Sequence, residues 1–255
     1  MKALYPLVVL LFAWPCSAQI VFADKDIDNT IAFYKTISIA DLRDRMPPSV
    51  TDAAYKKSAH AILPFKELED PKLIASLKLV LRPLLLLYDR LEAYDIVIVD
   101  DRIPFAMLDS GVILIISIEM IKRAQNDDEL LGYVAHEVGH EYFALYSNYS
   151  KYLLELVSQR DNEPVFRNFV VGALALIELQ CDAFAALTLS SLGYSPLEFV
   201  SSMERLTSEF PKQVIPSHPV IKQRRHVVEG LTKVQLKPRQ SKAFLQLKEQ
   251  SASTY

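Results

Sequence analysis

A chain of 255 residues with 51% apolar and 23% charged content is long enough to bury one substantial core and has the balance of an ordinary globular protein. Its formal charge of -3 and pI near 6.0 give no electrostatic case for a nucleic-acid partner, and that class is set aside. The sequence has two cysteines, Cys16 and Cys181, and loss of the first with a leader would leave no intramolecular disulfide.

Residues 1–18 read as a secretory signal: Lys2 supplies a positive start, Leu7 to Trp14 an apolar run, and Cys16-Ser17-Ala18 a small-residue cleavage site. The mature chain is then expected to begin near Gln19, and the protein to be periplasmic or secreted. An uncleaved membrane anchor is the alternative, but the apolar run falls short of the roughly 20 residues that a spanning helix needs. Further along, Val170 to Ile177 is apolar, yet Arg167 before it and Glu178 and Asp182 after it interrupt the run.

The remainder, residues 19–255, is read as one domain. In its first part, 19–93, helical spacing in Ile31 to Leu42 and Leu73 to Leu91, with turn signals at Pro47-Pro48 and Pro71, predicts two or three helices. Ile96-Val97-Ile98-Val99 and Val112 to Ile116 are short, β-branched and bounded by Asp or Gly, so they are predicted strands of a small sheet. Helices are predicted over Ile118–Ala124, Asp128–Tyr146, Val165–Leu189 and Pro196–Leu206. The fold class is therefore α+β and mostly helical. From Lys222 to Lys248 eight basic residues face one acid, Glu229, and read as a solvated C-terminal face, with peripheral contact to an anionic membrane surface as the alternative.

The chemistry concentrates in Leu131-Gly-Tyr-Val-Ala-His136-Glu137-Val-Gly-His140, the helical zinc-hydrolase pattern H-E-x-x-H. Residues four apart on a helix differ by about 40° in direction, so both imidazoles leave one face and can ligate a single cation. Glu137 lies on the flank of that face, suited to act as a general base rather than a ligand. Asn126 with Glu129 three residues later forms a capping signature, so a helix starts where the motif needs one. A catalytic zinc usually takes three protein ligands. A third histidine six residues after the second is excluded, because Tyr146 stands there. Glu178 is the better candidate: it interrupts an apolar helix, where a carboxylate is costly to bury unless it meets a cation. Asp182, four residues on, shares its face and can orient a ligand histidine through the free ring nitrogen. Cys181 beside them reads as a small core residue, and His60 and His226 are given no role.

Several ordered blocks resemble one family. Asn126-Asp-Asp-Glu-Leu130, the H-E-x-x-H motif, Glu178-x-x-x-Asp182, Leu192-Gly-Tyr-Ser-Pro196 with Met203-Glu-Arg-Leu206, and Ser217-His-Pro219 with Arg224 are similar to the HtpX and CAAX prenyl endopeptidase family of gluzincin zinc metallopeptidases. The resemblance covers about residues 95 to 232, the expected catalytic core. It implies a gluzincin-type domain with an active-site helix and a small sheet whose edge strand lies along the substrate cleft, and one Zn2+ per chain. It further implies that His218 hydrogen-bonds the oxyanion, with Arg224 steadying it or sharing that work. The segment Ile103-Pro-Phe-Ala-Met-Leu-Asp-Ser-Gly111 resembles the family's run into the edge strand. Ile103 and Pro104 replace its Asn-Ala, and Leu108 and Asp109 interrupt its Pro-Gly-Gly. The spanning helices of many relatives are missing, which argues against an integral-membrane prenyl-processing role.

The expected function is a zinc metalloendopeptidase of the envelope, acting through a zinc-activated water with Glu137 as base on polypeptides such as unfolded envelope proteins. The alternative is a zinc-binding, non-catalytic envelope chaperone or adaptor. Glu137 separates the two, because a structural zinc site needs no base. His218 is also expected within reach of the metal as a reversible fourth ligand at rest.

Overall fold

A computed structural model describes residues 21–61, 63–143, 164–211 and 218–253, so the signal-peptide reading of residues 1–18 lies outside the described residues, as do Tyr146 and Ser217. Among the described residues four helices precede the sheet: α1 (Asp24–Lys35), α2 (Ile39–Asp44), α3 (Ala53–His60) and α4 (Pro71–Leu87). The sequence predicts two or three there; a capping box at Ser38–Asp41 and a cap by Asp52 start the two short helices that periodicity alone does not resolve. Asp70 caps α4, with Pro71 preset for the first turn. The helix stops short of Leu91, just before Asp89, whose φ of 55° cannot continue it.

Strands β1 (Asp95–Val99), β2 (Ala106–Asp109) and β3 (Ile113–Ser117) form one sheet in the order β1-β3-β2. β1 runs parallel to β3, with Ile96 beside Leu114 and Ile98 beside Ile116, and β2 runs antiparallel to it, with Leu108 beside Leu114. The strand 113–117 is thus central, and the edge is a strand the sequence does not announce. Ala106-Met-Leu-Asp109 has no β-branched residue, and its pairing is imposed by the turn at Ser110 and Gly111, both with positive φ, where the Val112 N–H donates to the Asp109 carbonyl at 3.1 Å.

Among the described residues six helices follow the sheet: α5 (Ile118–Arg123), α6 (Asp127–Phe143), α7 (Pro164–Leu192), α8 (Pro196–Glu209), α9 (Ile221–Leu231) and α10 (Lys242–Ala252). The Asn126 side chain accepts from the Glu129 N–H at 3.0 Å, the expected cap of α6, while the Glu129 carboxylate accepts from Gln125 rather than from Asn126 itself. α6 is the central strut, packed on α7, α8 and α4, with Leu131, Val134, Ala135 and Val138 fully buried. Two glycines let it approach its neighbours. A Cβ on Gly132 would lie 2.4 Å from Phe199 Cβ on α8, and one on Gly139 would lie 3.1 Å from Cys181 Cα on α7.

The basic C-terminal stretch does not trail off. α10 buries Phe244 and Leu247, and Lys248 donates to the carbonyls of Ile121 (3.2 Å), Ala124 (2.8 Å) and Lys122, satisfying the C-terminal end of α5 with a cation. Arg225 pairs with Glu204 and Glu229, and Arg239 lies 4.6 Å from the Tyr194 ring centroid.

The last turn of α6 is held by a buried charge pair: Arg90 Nε donates to Glu141 at 2.9 Å, Tyr94 donates to the same oxygen, and Arg90 also reaches the carbonyls of Tyr88 and Pro47. Truncating one member of a buried pair leaves the other uncompensated, so Arg90→Ala should lower stability by about 3–5 kcal/mol in urea titration. Arg90→Met combined with Glu141→Met should recover much of that loss, since neither charge remains.

Candidate metal centre

Helical phase brings the motif together. His136 and His140 leave the same side of α6, their ring centroids 4.9 Å apart and nearly perpendicular. α7 crosses this side with Glu178, Cys181 and Asp182, three consecutive positions of one face. The Glu178 carboxylate is the point of convergence: His136 Nε2 lies 3.1 Å and His218 Nε2 2.9 Å from one oxygen, and His140 Nε2 3.5 Å from the other. His136, His140 and Cys181 also offer ligand atoms within 4.8 Å of one another, a cluster that could hold a metal ion.

Behind His136 stands a second layer. Asp182 is fully buried and accepts from His136 Nδ1 at 3.0 Å, while Arg224 on α9 grips both its oxygens, Nε to one at 2.7 Å and Nη2 to the other at 2.7 Å. Arg224 therefore binds Asp182, where the resemblance leads one to expect it on His218. The pair fixes a tautomer: with its Nδ1 proton committed to Asp182, the His136 Nε2 lone pair is left for a cation.

The charge states follow from these contacts. Burial alone would push the Glu178 and Asp182 carboxyls up, but His218 and His140 beside the first and Arg224 beside the second reverse it, so both lie below the usual carboxylate range, Glu178 well below. Burial opposes charge on His136 too, yet carboxylates at either end of its ring raise it to about 9, so both nitrogens carry protons at neutral pH when no cation is present. For Cys181 the one opposing charge, Arg224, is outweighed. Burial and the nearby Glu178, Asp182 and Glu137 charges push its thiol well above its ordinary value. Among candidates for a third ligand, Glu178 is thus the one already anionic and nearest both motif histidines. Two imidazoles and a carboxylate on one side, with an orienting carboxylate behind, are a donor set that suits zinc.

Glu137 flanks this cluster on the side of the sheet. Its Oε2 accepts from the backbone N–H of Leu108 at 3.1 Å. Phe105 and Asp109 turn their carbonyls to the Ser117 and Val112 N–H groups, so alternation along β2 turns those of Ala106 and Leu108 outward. Sequence reasoning missed this contact, and nothing could have flagged it, because the donor is a backbone group. His60 and His226, given no role, sit in surface ion pairs with Asp95 and Glu67, and with Asp28.

No protein-family model matches this chain, and a search of curated proteins finds no match.

The metal-free and the loaded protein each have an expected outcome. A histidine whose pKa is raised on folding contributes stability fully below its unfolded value of about 6.5 and loses it as pH climbs through the folded value. The metal-free protein should therefore lose thermal stability as pH rises from 6.5 to about 9, a loss that Asp182→Asn should blunt, measured by scanning calorimetry. In the loaded protein, Asp182→Asn or Arg224→Met should weaken metal binding by about 10- to 100-fold in chelator competition while the first-rank ligands stay in place.

Proposed function

We propose that this protein is a zinc-dependent endopeptidase with a gluzincin-type centre, holding one Zn2+ through His136, His140 and Glu178. The observation that carries the reading is the convergence of two motif imidazoles on a partly buried glutamate of a separate helix, with Glu137 beside the donors and not among them. Nothing in a purely structural site calls for that spare carboxylate next to the metal.

When bound, zinc supplies Lewis acidity, activating water and the scissile carbonyl at neutral pH. The rest falls to the chain. Glu137 takes the proton of the attacking water on a carboxylate oxygen and later delivers it to the leaving amine. His218, at the rim of the cluster and about a quarter exposed, donates its N–H to the oxyanion as it develops, a contribution of about 10²- to 10³-fold for donors of this kind. At rest the same imidazole, held 2.9 Å from Glu178, could take the open position once a metal is bound. Arg224 acts through Asp182 as a positioning residue. The outward-facing N–H of Ala106 and the C=O groups of Ala106 and Leu108 on β2 suit an extended polypeptide laid along the edge, the arrangement by which main-chain hydrogen bonds bind many sequences. That fits unfolded envelope proteins as substrates and, with the pattern of residues 1–18, a periplasmic or secreted location.

The deciding experiment combines elemental analysis with hydrolysis of an unfolded polypeptide. Wild type and Glu137→Gln should each carry about one zinc, and the variant should lose about 10²- to 10⁴-fold in rate, whereas His140→Ala should lose the metal. Glu137→Gln activity within tenfold of wild type would end the mechanism. Zinc in both proteins with hydrolysis in neither would turn the reading to a zinc-bearing chaperone.

A further inference from the structure

One donor at the centre has no part in that chemistry. Cys181 is fully buried on α7, three residues after Glu178 and next to Asp182 in the chain. Its depth depends on Gly139. A Cβ there would sit 3.3 Å from the sulfur and 3.1 Å from the Cys181 Cα, so only a bare backbone lets α7 come this near. Gly139 lies between the two motif histidines, and the close approach therefore slides the sulfur under both rings, to within 4.8 Å of a nitrogen of each.

A tetrahedral site with metal–nitrogen bonds of about 2.0–2.1 Å and a metal–sulfur bond of about 2.3 Å keeps its donors roughly 3.5 Å apart. Rotating one short side chain spans the difference. What sulfur adds is a soft donor, and soft donors select thiophilic cations over zinc's harder competitors.

We infer that Cys181 is a fourth protein donor of this centre, able to close it around a thiophilic divalent cation with His136, His140 and Glu178. The inference rests on the metal-site reading above. As the metal–sulfur bond forms, the thiol proton passes to solvent and the cation keeps its charge state, so no oxidant or reductant is involved. Four protein donors leave no position for water, so a cation held this way is inert to hydrolysis. Zinc, well served by two imidazoles and a carboxylate, leaves the thiol protonated and the site open; cadmium draws the sulfur in.

The test uses the full chain, stripped with chelator and reloaded with cadmium(II), with zinc(II) competition as a second readout. Wild type should show the ultraviolet thiolate-to-cadmium charge-transfer band, and Cys181→Ser and Cys181→Ala should lack it. The preference for cadmium over zinc should fall in both variants by at least about tenfold, no less than the loss of an outer-shell partner costs. The serine variant keeps the packing volume, and matched near-ultraviolet dichroism of the stripped proteins would show the fold intact. Cadmium bound without a sulfur band in wild type, as a fourth ligand from the His218 imidazole would give, together with an unchanged cadmium preference in the variants, would overturn the inference and leave the zinc reading standing. Failure to take up either cadmium or zinc would overturn both.

Discussion

Asp182 is the constraint on which the rest of the centre depends. A carboxylate with no solvent exposure is tolerable only if its charge is met, and here the bidentate guanidinium of Arg224 and the ring of His136 meet it. Those partners lie on α9 and α6, while Asp182 itself is on α7, so one buried charge fixes three helices to one another. It also fixes a proton. With the His136 Nδ1 hydrogen held, the ring presents its other nitrogen to Glu178 in the single orientation in which a cation can be shared.

Close packing gives the charge network its geometry. Gly132 lets α8 press on α6 through Phe199, whose ring backs His136, and Gly139 brings α7 against the motif itself. The Arg90–Glu141–Tyr94 cluster then anchors the turn that carries His140. A centre assembled from facing helices is only as rigid as these contacts, since a carboxylate displaced by one ångström no longer satisfies three imidazoles.

α7 shows how composition and context part. Its stretch Gly172–Leu192 is long and apolar enough to cross a membrane by length and composition, and more than half of it is buried within the protein. The two acids that interrupt it face α6 and the site, and its apolar side from Leu179 to Leu189 fills the core. Apolarity all round here reflects a helix enclosed by others.

Much of the site was legible because it is written in helical periodicity. His136 and His140, or Glu178 and Asp182, share a face wherever their helix goes, and Asn126 with Glu129 marks where α6 begins; these are consequences of local geometry, fixed by spacing alone. The α+β, mostly helical class was legible for the same reason. What the sequence could not specify is which faces meet. Arg224 finds Asp182 across 42 residues rather than His218 nearby, Cys181 reaches the histidines only because Gly139 admits it, and Ala106–Asp109 becomes the edge of the sheet only through β3. Glu137's partner is a backbone N–H that every residue but proline carries, so no side-chain pattern could point to Leu108. Such pairings are decided by the packing of whole elements, where burial and charge compensation between distant segments outweigh any local preference.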